Sequence, residues 1–386
     1  MITVVNSKGY RCCTLGDVIT LKRGYDLPHN QRLQGEVPVV SSSGITGRHD
    51  KAKVKAPGVV TGRYGTLGEV FYVEEDFWPL NTALYICDFK GNYPKFISYM
   101  LRTLGLGFQN AAGAVPGINR NVLHKIPITI PDIQTQQRIA EILSTYDRLI
   151  DNNNRRIALL EESIHQLYKE WFVHLRFPGY ESVKIVDGIP EGWDKVTISD
   201  LYSTSSGGTP SRKKNDEYYT GGNIPWIKTQ ELNNRWIIDT EEKITESGLS
   251  NSSAKLFPKG TFIIAMYGAT IGQFGMLSKE CTTNQACCAL LNKSESLFNC
   301  AYAFGYLLTE RAKIISMGQG SAQPNISQQV IKKLNILKPS EATIKYYNSI
   351  VEPWLNAMLC YQLMNIKLSE ARDLLLPRLM NGSFAV

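Results

Sequence analysis

The sequence predicts an α+β chain in which two similar mixed α/β domains are separated by two long antiparallel coiled-coil helices, the whole related by a pseudo-twofold internal repeat. Three observations carry that prediction. The stretch from Ile133 to about Phe177 contains neither Pro nor Gly, and places Leu143, Tyr146, Ile150, Asn153, Ile157, Leu160, Ile164, Leu167 and Trp171 at alternating steps of three and four. That is the seam of a coiled coil rather than the broader stripe of a surface helix. Some forty residues at about 1.5 Å each make a rod of roughly 60 Å, too long to bury its seam against itself. The second observation is a duplication. A shift of 208 carries Pro116 to Pro324, Ile118 to Ile326, Val122 to Val330, Lys125 to Lys333, Pro131 to Pro339, Ile142 to Ile350, Tyr146 to Trp354, Glu162 to Glu370 and Leu167 to Leu375. The third is a second Pro-poor helical stretch, from about Ile344 to Leu379, that can serve as the partner rod.

The elements follow in order. Residues 1–131 form the first domain. A short strand or helix around Thr14–Leu21 leads into turns at Gly24, Pro28, Gly35, Pro38, Gly44 and Gly47. Strands are predicted at Val59–Thr61, Glu69–Val73 and Leu84–Cys87, and a helix at Pro94–Leu104. The Gly-rich segment Gly105–Gly117 and an apolar run, Val122–Ile130, close the domain. Residues 132–178 are the first rod, broken by Phe177-Pro178-Gly179. Residues 179–340 are a linker with an aromatic anchor, Trp193, followed by the second domain. There Thr261–Met266 and Ala286–Leu291 are predicted strands, Ala301–Leu308 a helix, Gly318–Pro324 a Gly-rich segment and Val330–Leu337 an apolar run. Upstream the repeat register slips, but Tyr64-Gly65-Thr66-Leu67-Gly68 still echoes Tyr267-Gly268-Ala269-Thr270-Ile271-Gly272, and Asn81-Thr82-Ala83 echoes Asn284-Gln285-Ala286. Residues 341–386 hold the second rod. Its seam is Val351, Trp354, Met358, Tyr361, Asn365, Leu368, Arg372, Leu375 and Leu379, weakened by two polar places. Pro353 lies near its start, and Pro377 is expected to kink or end it.

Of the formal net charge of +7, residues 1–131 contribute +6 (15 Lys+Arg against 9 Asp+Glu) and 190–340 contribute +3 (16 against 13), while the rod segments are near neutral. The eight cysteines (12, 13, 87, 281, 287, 288, 300, 360) have no CxxC spacing and are expected to be reduced thiols of a cytoplasmic protein. No charged-then-apolar leader and no run of membrane-spanning length is present, so no membrane association is expected. Catalytic signatures are missing too. There is no GxxxxGK[ST], GxGxxG after a strand, HExxH, GxSxG or [DN]PP[YF], and the five histidines (29, 49, 124, 165, 174) lack ligand spacing. Pro131-Asp132 and Glu241-Glu242-Lys243 offer parts of a nuclease site, but they lie over a hundred residues apart in different domains. No metal site and no catalytic centre is expected.

What remains is basic, amide and aromatic side chains on two like platforms. In the first domain these are Lys22, Arg23, Arg32, Arg48, Lys51, Lys53, Lys55, Arg63 and Tyr64. In the second they are Arg212, Lys213, Lys214, Lys228, Gln230, Arg235 and Tyr267. Lys and Arg neutralise phosphates, and Arg, Asn and Gln read base edges in pairs of hydrogen bonds. The same residues on a chain without catalytic motifs leave two other readings open, a stand-alone DNA methyltransferase or nuclease and a scaffold protein that binds no DNA.

The layout resembles the specificity subunit of Type I restriction–modification enzymes. The matching residues are Pro131-Asp132-Ile133-Gln134-Thr135-Gln136-Gln137-Arg138-Ile139-Ala140-Glu141-Ile142-Leu143, Leu167-Tyr168-Lys169-Glu170-Trp171-Phe172-Val173, Arg176-Phe177-Pro178-Gly179 and Ile189-Pro190-Glu191-Gly192-Trp193. Gly207-Gly208-Thr209-Pro210-Ser211, Ile224-Pro225-Trp226-Ile227 and Arg372-Asp373-Leu374-Leu375-Leu376-Pro377-Arg378-Leu379 complete the set. The resemblance implies two target-recognition domains, each reading one half of a split, asymmetric site in double-stranded DNA. It implies helices that fix the spacer and carry two methyltransferase subunits for adenine N6, with restriction subunits added. It also implies that S-adenosylmethionine, ATP and Mg act on those other subunits and none in this chain. Readers on a rod can engage half-sites one helical turn apart, about 34 Å. Asn153 and Asn365, at polar places of the two seams, are the candidate pair for setting register.

Overall fold

Thr14 and Thr197 begin the same small construction twice. Each donates from its own backbone N–H and hydroxyl to the carboxylate three residues on, Asp17 at 2.8 and 2.7 Å and Asp200 at 2.7 Å for both. This capping box starts a single helical turn between two strands. A computed structural model of the chain describes residues 9–108, 117–293, 296–318, 325–384 and 386. Most of the first Gly-rich segment (109–116, with Pro116) and of the second (319–324, with Pro324) lies outside the described residues.

The first pass of the chain runs β1 (Arg11–Thr14), α1 (Leu15–Val18), β2 (Thr20–Arg23), β3 (Val37–Ser41), β4 (Gly44–His49), β5 (Gly58–Gly62), β6 (Val70–Val73), β7 (Trp78–Pro79), β8 (Ala83–Asp88), α2 (Pro94–Thr103), α3 (Arg120–Leu123) and β9 (Pro127–Ile130). Helix α4 (Ile133–Tyr168) follows and passes into a π-helical turn at Lys169–Val173. The second pass runs β10 (Ile185–Val186), β11 (Ile189–Pro190), β12 (Asp194–Thr197), α5 (Ile198–Leu201), β13 (Tyr202–Ser206), α6 (Asn215–Tyr218), β14 (Ile224–Ile227), β15 (Trp236–Ile237), β16 (Glu242–Ile244), α7 (Glu246–Ser250), β17 (Phe262–Ala265), β18 (Phe274–Leu277), β19 (Thr282–Thr283), β20 (Cys287–Asn292), α8 (Cys300–Met317), α9 (Gln328–Lys332) and β21 (Asn335–Lys338). Helix α10 (Glu341–Met380) ends it.

The sheets repeat in kind. In the first pass the strand orders are β2-β8-β5-β6, β4-β3-β7 and β1-β9. In the second they are β13-β20-β17-β18-β15, β16-β14-β19 and β12-β21. The pairs β3·β7 and β14·β19 are both parallel. Strands β5, β17 and β18 are buried along their whole length, so they read as continuous apolar runs rather than alternating ones. The repeat offset grows along the chain, from 183 at Thr14/Thr197 to 203 at Tyr64/Tyr267 and 208 from Gly117/Asn325 onward. The upstream slip is thus inserted chain in the second copy, which there carries α6, α7 and the edge strand β15.

The chain divides into two units, Met1–Ile150 with Lys367–Val386, and Asp151–Ile366. Each therefore contains part of both long helices, and within each the two parts run antiparallel. In the first unit Leu143 shares a core with Leu376 and Leu379, and the Arg372 guanidinium meets the Asp147 carboxylate at 2.7 Å. In the second, Asn153 donates to Asn365 at 2.9 Å, Arg156 to the Tyr361 hydroxyl at 3.1 Å, and Trp171 packs on Tyr346 and Tyr347. Asn365 in turn donates to Asn154 at 3.0 Å. The polar places that weaken the second seam thus have polar partners opposite.

Leu167 is half-buried, as Tyr146, Ile150 and Leu160 are, and packs against the core, while Tyr168, Trp171 and Phe172 are buried where α4 passes into the π-helical turn. Pro377 lies near the end of α10, which runs three residues further to Met380. Pro353 is an interior position, twelve residues after Glu341, rather than a start. Both are tolerated because packing, not backbone bonding alone, holds this helix. Likewise Thr14–Leu21 is strand, turn and strand rather than one element, Val122–Ile130 is the end of α3 followed by β9, and the helix at Ala301–Leu308 extends to Met317. Trp193 does anchor the linker, stacked 4.7 Å from Phe177.

Asp147 gives the seam its sharpest test. Its side chain is 23% exposed and Arg372's 21%. Burial pushes its pKa up, but the Tyr99 hydroxyl and the Arg372 guanidinium outweigh burial and leave the carboxyl below its ordinary 3.8. A carboxylate depressed in the folded state contributes stability that is present above that ordinary value and is lost as pH falls through the folded one. Asp147→Ala should therefore cost about 2–3 kcal/mol at neutral pH, since it strands a half-buried guanidinium, and less as pH falls below 3.8 through the lowered pKa of the folded carboxyl. The double change Asp147→Leu with Arg372→Met should recover most of the loss. Thermal unfolding of the two variants checks this, and equal loss in the single and double variants would show that the stranded guanidinium is not what destabilises the seam.

Candidate nucleic-acid interface

In the first unit the candidate side chains gather at the ends of β2, β4 and β5. Gly24 closes β2 where a Cβ would lie 2.2 Å from the Leu80 carbonyl oxygen, and that close approach places Tyr25 against β7 and β8. Tyr25 meets Trp78 edge-on at 6.3 Å, and its hydroxyl is 3.0 Å from that of Tyr85. The Tyr85 bond, followed by Lys22, draws the Tyr25 phenol below its usual range, while burial raises Tyr85. Lys22 stands 5.7 Å over the Tyr25 ring. Lys53 stands 5.8 Å over Tyr25 and 5.0 Å over Trp78.

The other first-unit candidates divide into engaged and free. Arg23 reaches Asp26 at 3.9 Å, Arg32 donates to the Thr46 carbonyl at 3.0 Å, Arg48 lies 3.7 Å from Glu36 and 3.8 Å from Glu75, and Lys55 pairs with Asp76 at 2.7 Å. Lys51 is exposed, with no ion pair among the described residues. The Arg63 guanidinium lies 4.5 Å over the Tyr64 ring, which is 39% exposed and whose backbone bridges to Gly117.

The second unit repeats the aromatic construction with different charges. Gly207 follows β13 as Gly24 follows β2, with a Cβ position 2.1 Å from the Thr283 carbonyl oxygen. Arg212 lies 4.0 Å over Tyr219 and 5.2 Å over Trp226, and its guanidinium meets Glu242 at 2.5 Å. Lys228 is 22% exposed and sits between Glu241 at 2.7 Å and Glu242 at 3.0 Å. Burial raises the Glu242 pKa, but Arg212 and Lys228 more than reverse that. Lys214 pairs with Glu217 at 3.2 Å. Arg235 lies near Glu161 of α4, whose carboxyl is raised by burial against the pull of Arg235 and Arg311. Lys213 and Gln230 are exposed and carry no such partner. Tyr267 is 46% exposed and bridges to Asn325, the counterpart of the Tyr64 bridge.

The structure therefore brings Lys22 to Lys53, and Arg212 to Lys228, across gaps in sequence. Tyr25, Trp78, Tyr219 and Trp226 were missed as the surfaces that hold these cations. For Tyr25, Tyr219 and Trp226 a basic neighbour in sequence was the only signal, and Trp78, after Glu74-Glu75-Asp76, had none. Glu241 and Glu242, weighed as nuclease carboxylates, are ion-pair partners, Lys243 pairs with Asp239 at 3.1 Å, and Asp132 caps α4 by accepting from the Thr135 N–H at 2.8 Å. Among the described residues no three His, Cys, Asp or Glu side chains are grouped to hold a metal ion, and no helix is long and apolar enough to cross a membrane. All eight thiols are free. Burial pushes Cys281, Cys287 and Cys288 up to about 12.

The family model described as "Type I restriction modification DNA specificity domain" matches this chain twice, at residues 8–162 and 190–343. The chain belongs to that family. The specificity subunit of the Type I restriction enzyme HindI from Haemophilus influenzae is 27% identical over 95% of this chain and 94% of its own length. The EcoR124I/EcoR124II specificity subunit of Escherichia coli is 24% identical over 77% of this chain and 72% of its own. Among solved structures, a Type I restriction–modification S subunit from M. genitalium matches 98% of both chains with a TM-score of 0.61 at 16% identity, a likeness of fold. Each family match falls on one of the two repeats and includes one aromatic wall with its cations.

The ion network predicts unequal effects on stability. Arg212→Met removes a cation from two rings and a carboxylate, and should cost about 1 kcal/mol after allowance for its exposure. Lys213→Ala, next to it and unpaired, should stay within about 0.5 kcal/mol of wild type. Denaturant unfolding measures both, and equal losses would refute the assignment of Arg212 to the fold.

Proposed function

We propose that this chain is the sequence-specific DNA-binding subunit of a Type I restriction–modification complex, in which each unit reads one half of a bipartite asymmetric target. The single observation that carries the reading is the double family match on two like-built basic repeats. Methyltransferase subunits acting on adenine N6 would dock on the helical parts, and restriction subunits would join them. S-adenosylmethionine, ATP and Mg would be used on those subunits. This chain's part is positioning. Its free cations, exposed aromatics and amide (Lys22, Lys51, Lys53, Arg63, Lys213; Tyr64, Tyr267; Gln230) would meet phosphates and base edges, and paired groups such as Arg212 and Lys228 would shape the loops that carry them. The shared helices would set the distance between half-sites.

Co-expression with methyltransferase subunits, followed by sequencing of methylated DNA, tests the reading. Two short motifs separated by a fixed unspecified spacer are expected. One continuous motif would contradict two readers, and methyl transfer by the purified chain alone would restore the enzyme alternative. Because Asn153 and Asn365 face each other, a heptad inserted after Asn153 should be matched by one before Asn365 to keep the pairing. Seven residues add about 10 Å of rise, so the spacer should lengthen by about three base pairs with both half-motifs unchanged.

A further inference from the structure

Each unit carries an edge-on Tyr–Trp pair under a cation at its parallel strand pair, with Trp78 on β7 in the first and Trp226 on β14, the counterpart of β3, in the second, and only the first pair is left charged. In the first unit Trp78 of β7 lies opposite Val39 of β3 and meets Tyr25 edge-on, with ring planes at 73°. In the second, Trp226 of β14 lies opposite Thr282 of β19 and meets Tyr219 edge-on, 5.9 Å apart at 83°. Each wall carries a cation over both rings, Lys53 in one and Arg212 in the other. The surroundings then differ. Lys22 adds a second cation over Tyr25, and neither lysine has a carboxylate in ion-pair range among the described residues. Asp26, the acid closest to Lys22 in sequence, is taken by Arg23 and by the Asn81 amide. In the second unit Arg212 and Lys228 face Glu241 and Glu242, two cations against two carboxylates.

We propose that Lys22 and Lys53, held on the Tyr25–Trp78 wall, form a seat for DNA backbone phosphate in the first unit, whereas the second unit neutralises the cations on its own, differently placed aromatic pair. The two halves of the target are then gripped with unequal electrostatic strength. This rests on the reading of the chain as a DNA specificity subunit. Two uncompensated ammonium groups beside one ring repel each other, and an anion between them relieves that repulsion. The rings limit where the lysines can go, so less freedom is lost when the anion arrives. Phosphate contacts carry no sequence information, so the seat acts on affinity and salt dependence and not on the motif.

The test uses the full chain with its methyltransferase subunits, binding a duplex that bears the motif found by methylation sequencing, across a salt series. Each phosphate contact contributes about 0.9 to the slope of log affinity against log salt, so Lys22→Gln with Lys53→Gln should flatten the slope by about two. The melting temperature and the methylated motif should not change, because both side chains are exposed. Arg212→Gln should lower the melting temperature and leave the slope as it was. A wild-type slope in the lysine variant would overturn the proposal, and so would an equal flattening by Arg212→Gln. Failure of the wild-type complex to prefer the motif over a scrambled duplex would instead sink the DNA-reading function itself.

Discussion

Neither long helix can bury its apolar seam alone, and every other feature of the chain is arranged around that constraint. A seam of Leu143, Ile157, Ile164 and Trp171 left in water would expose several large side chains, each worth about 1.5–3 kcal/mol on burial. The second helix removes that surface from water, and its polar places are met in kind. Asn365 faces Asn153 and Asn154, and Arg372 faces Asp147. A slip of one helix by a turn would separate these partners. Such pairs add little net stability but penalise the wrong register, which is the use that polar seam positions serve in coiled coils.

Duplication then supplies two recognition units from one plan. Capping boxes at Thr14 and Thr197, parallel strand pairs at β3·β7 and β14·β19, and aromatic walls with a cation on top recur in both. What has diverged is the loop chain between them, and with it the balance of charge. At its aromatic pair the first unit keeps Lys22 and Lys53 free of carboxylates, whereas the second locks Arg212 and Lys228 to Glu241 and Glu242. The same scaffold therefore supports different surfaces, as two halves of an asymmetric target demand.

The rods and the repeat were legible in the sequence because both rest on periodicity. The three-four spacing marks a seam, and a long shared offset marks a duplication. Pro353 misled, because tertiary packing overrides the backbone cost at this interior position. Charge was legible only in sum. Arg212 and Lys228 look like DNA ligands in a linear reading, but their carboxylates arrive from Glu242, thirty and fourteen residues away, on a strand brought alongside by β14. Lys53 finds Trp78 only through the pairing of Val54 with Phe77. Side-chain partners set by sheet register are not encoded in local spacing, so candidates chosen by composition mixed free cations with structural ones.

The most direct measurement is the methylome of a chain in which residues 194–338 are exchanged for the matching stretch of the Haemophilus influenzae relative, expressed with the methyltransferase subunits. The account predicts a bipartite motif in which one half changes while the other half and the spacer persist. A motif that changed in both halves, or in neither, would contradict it.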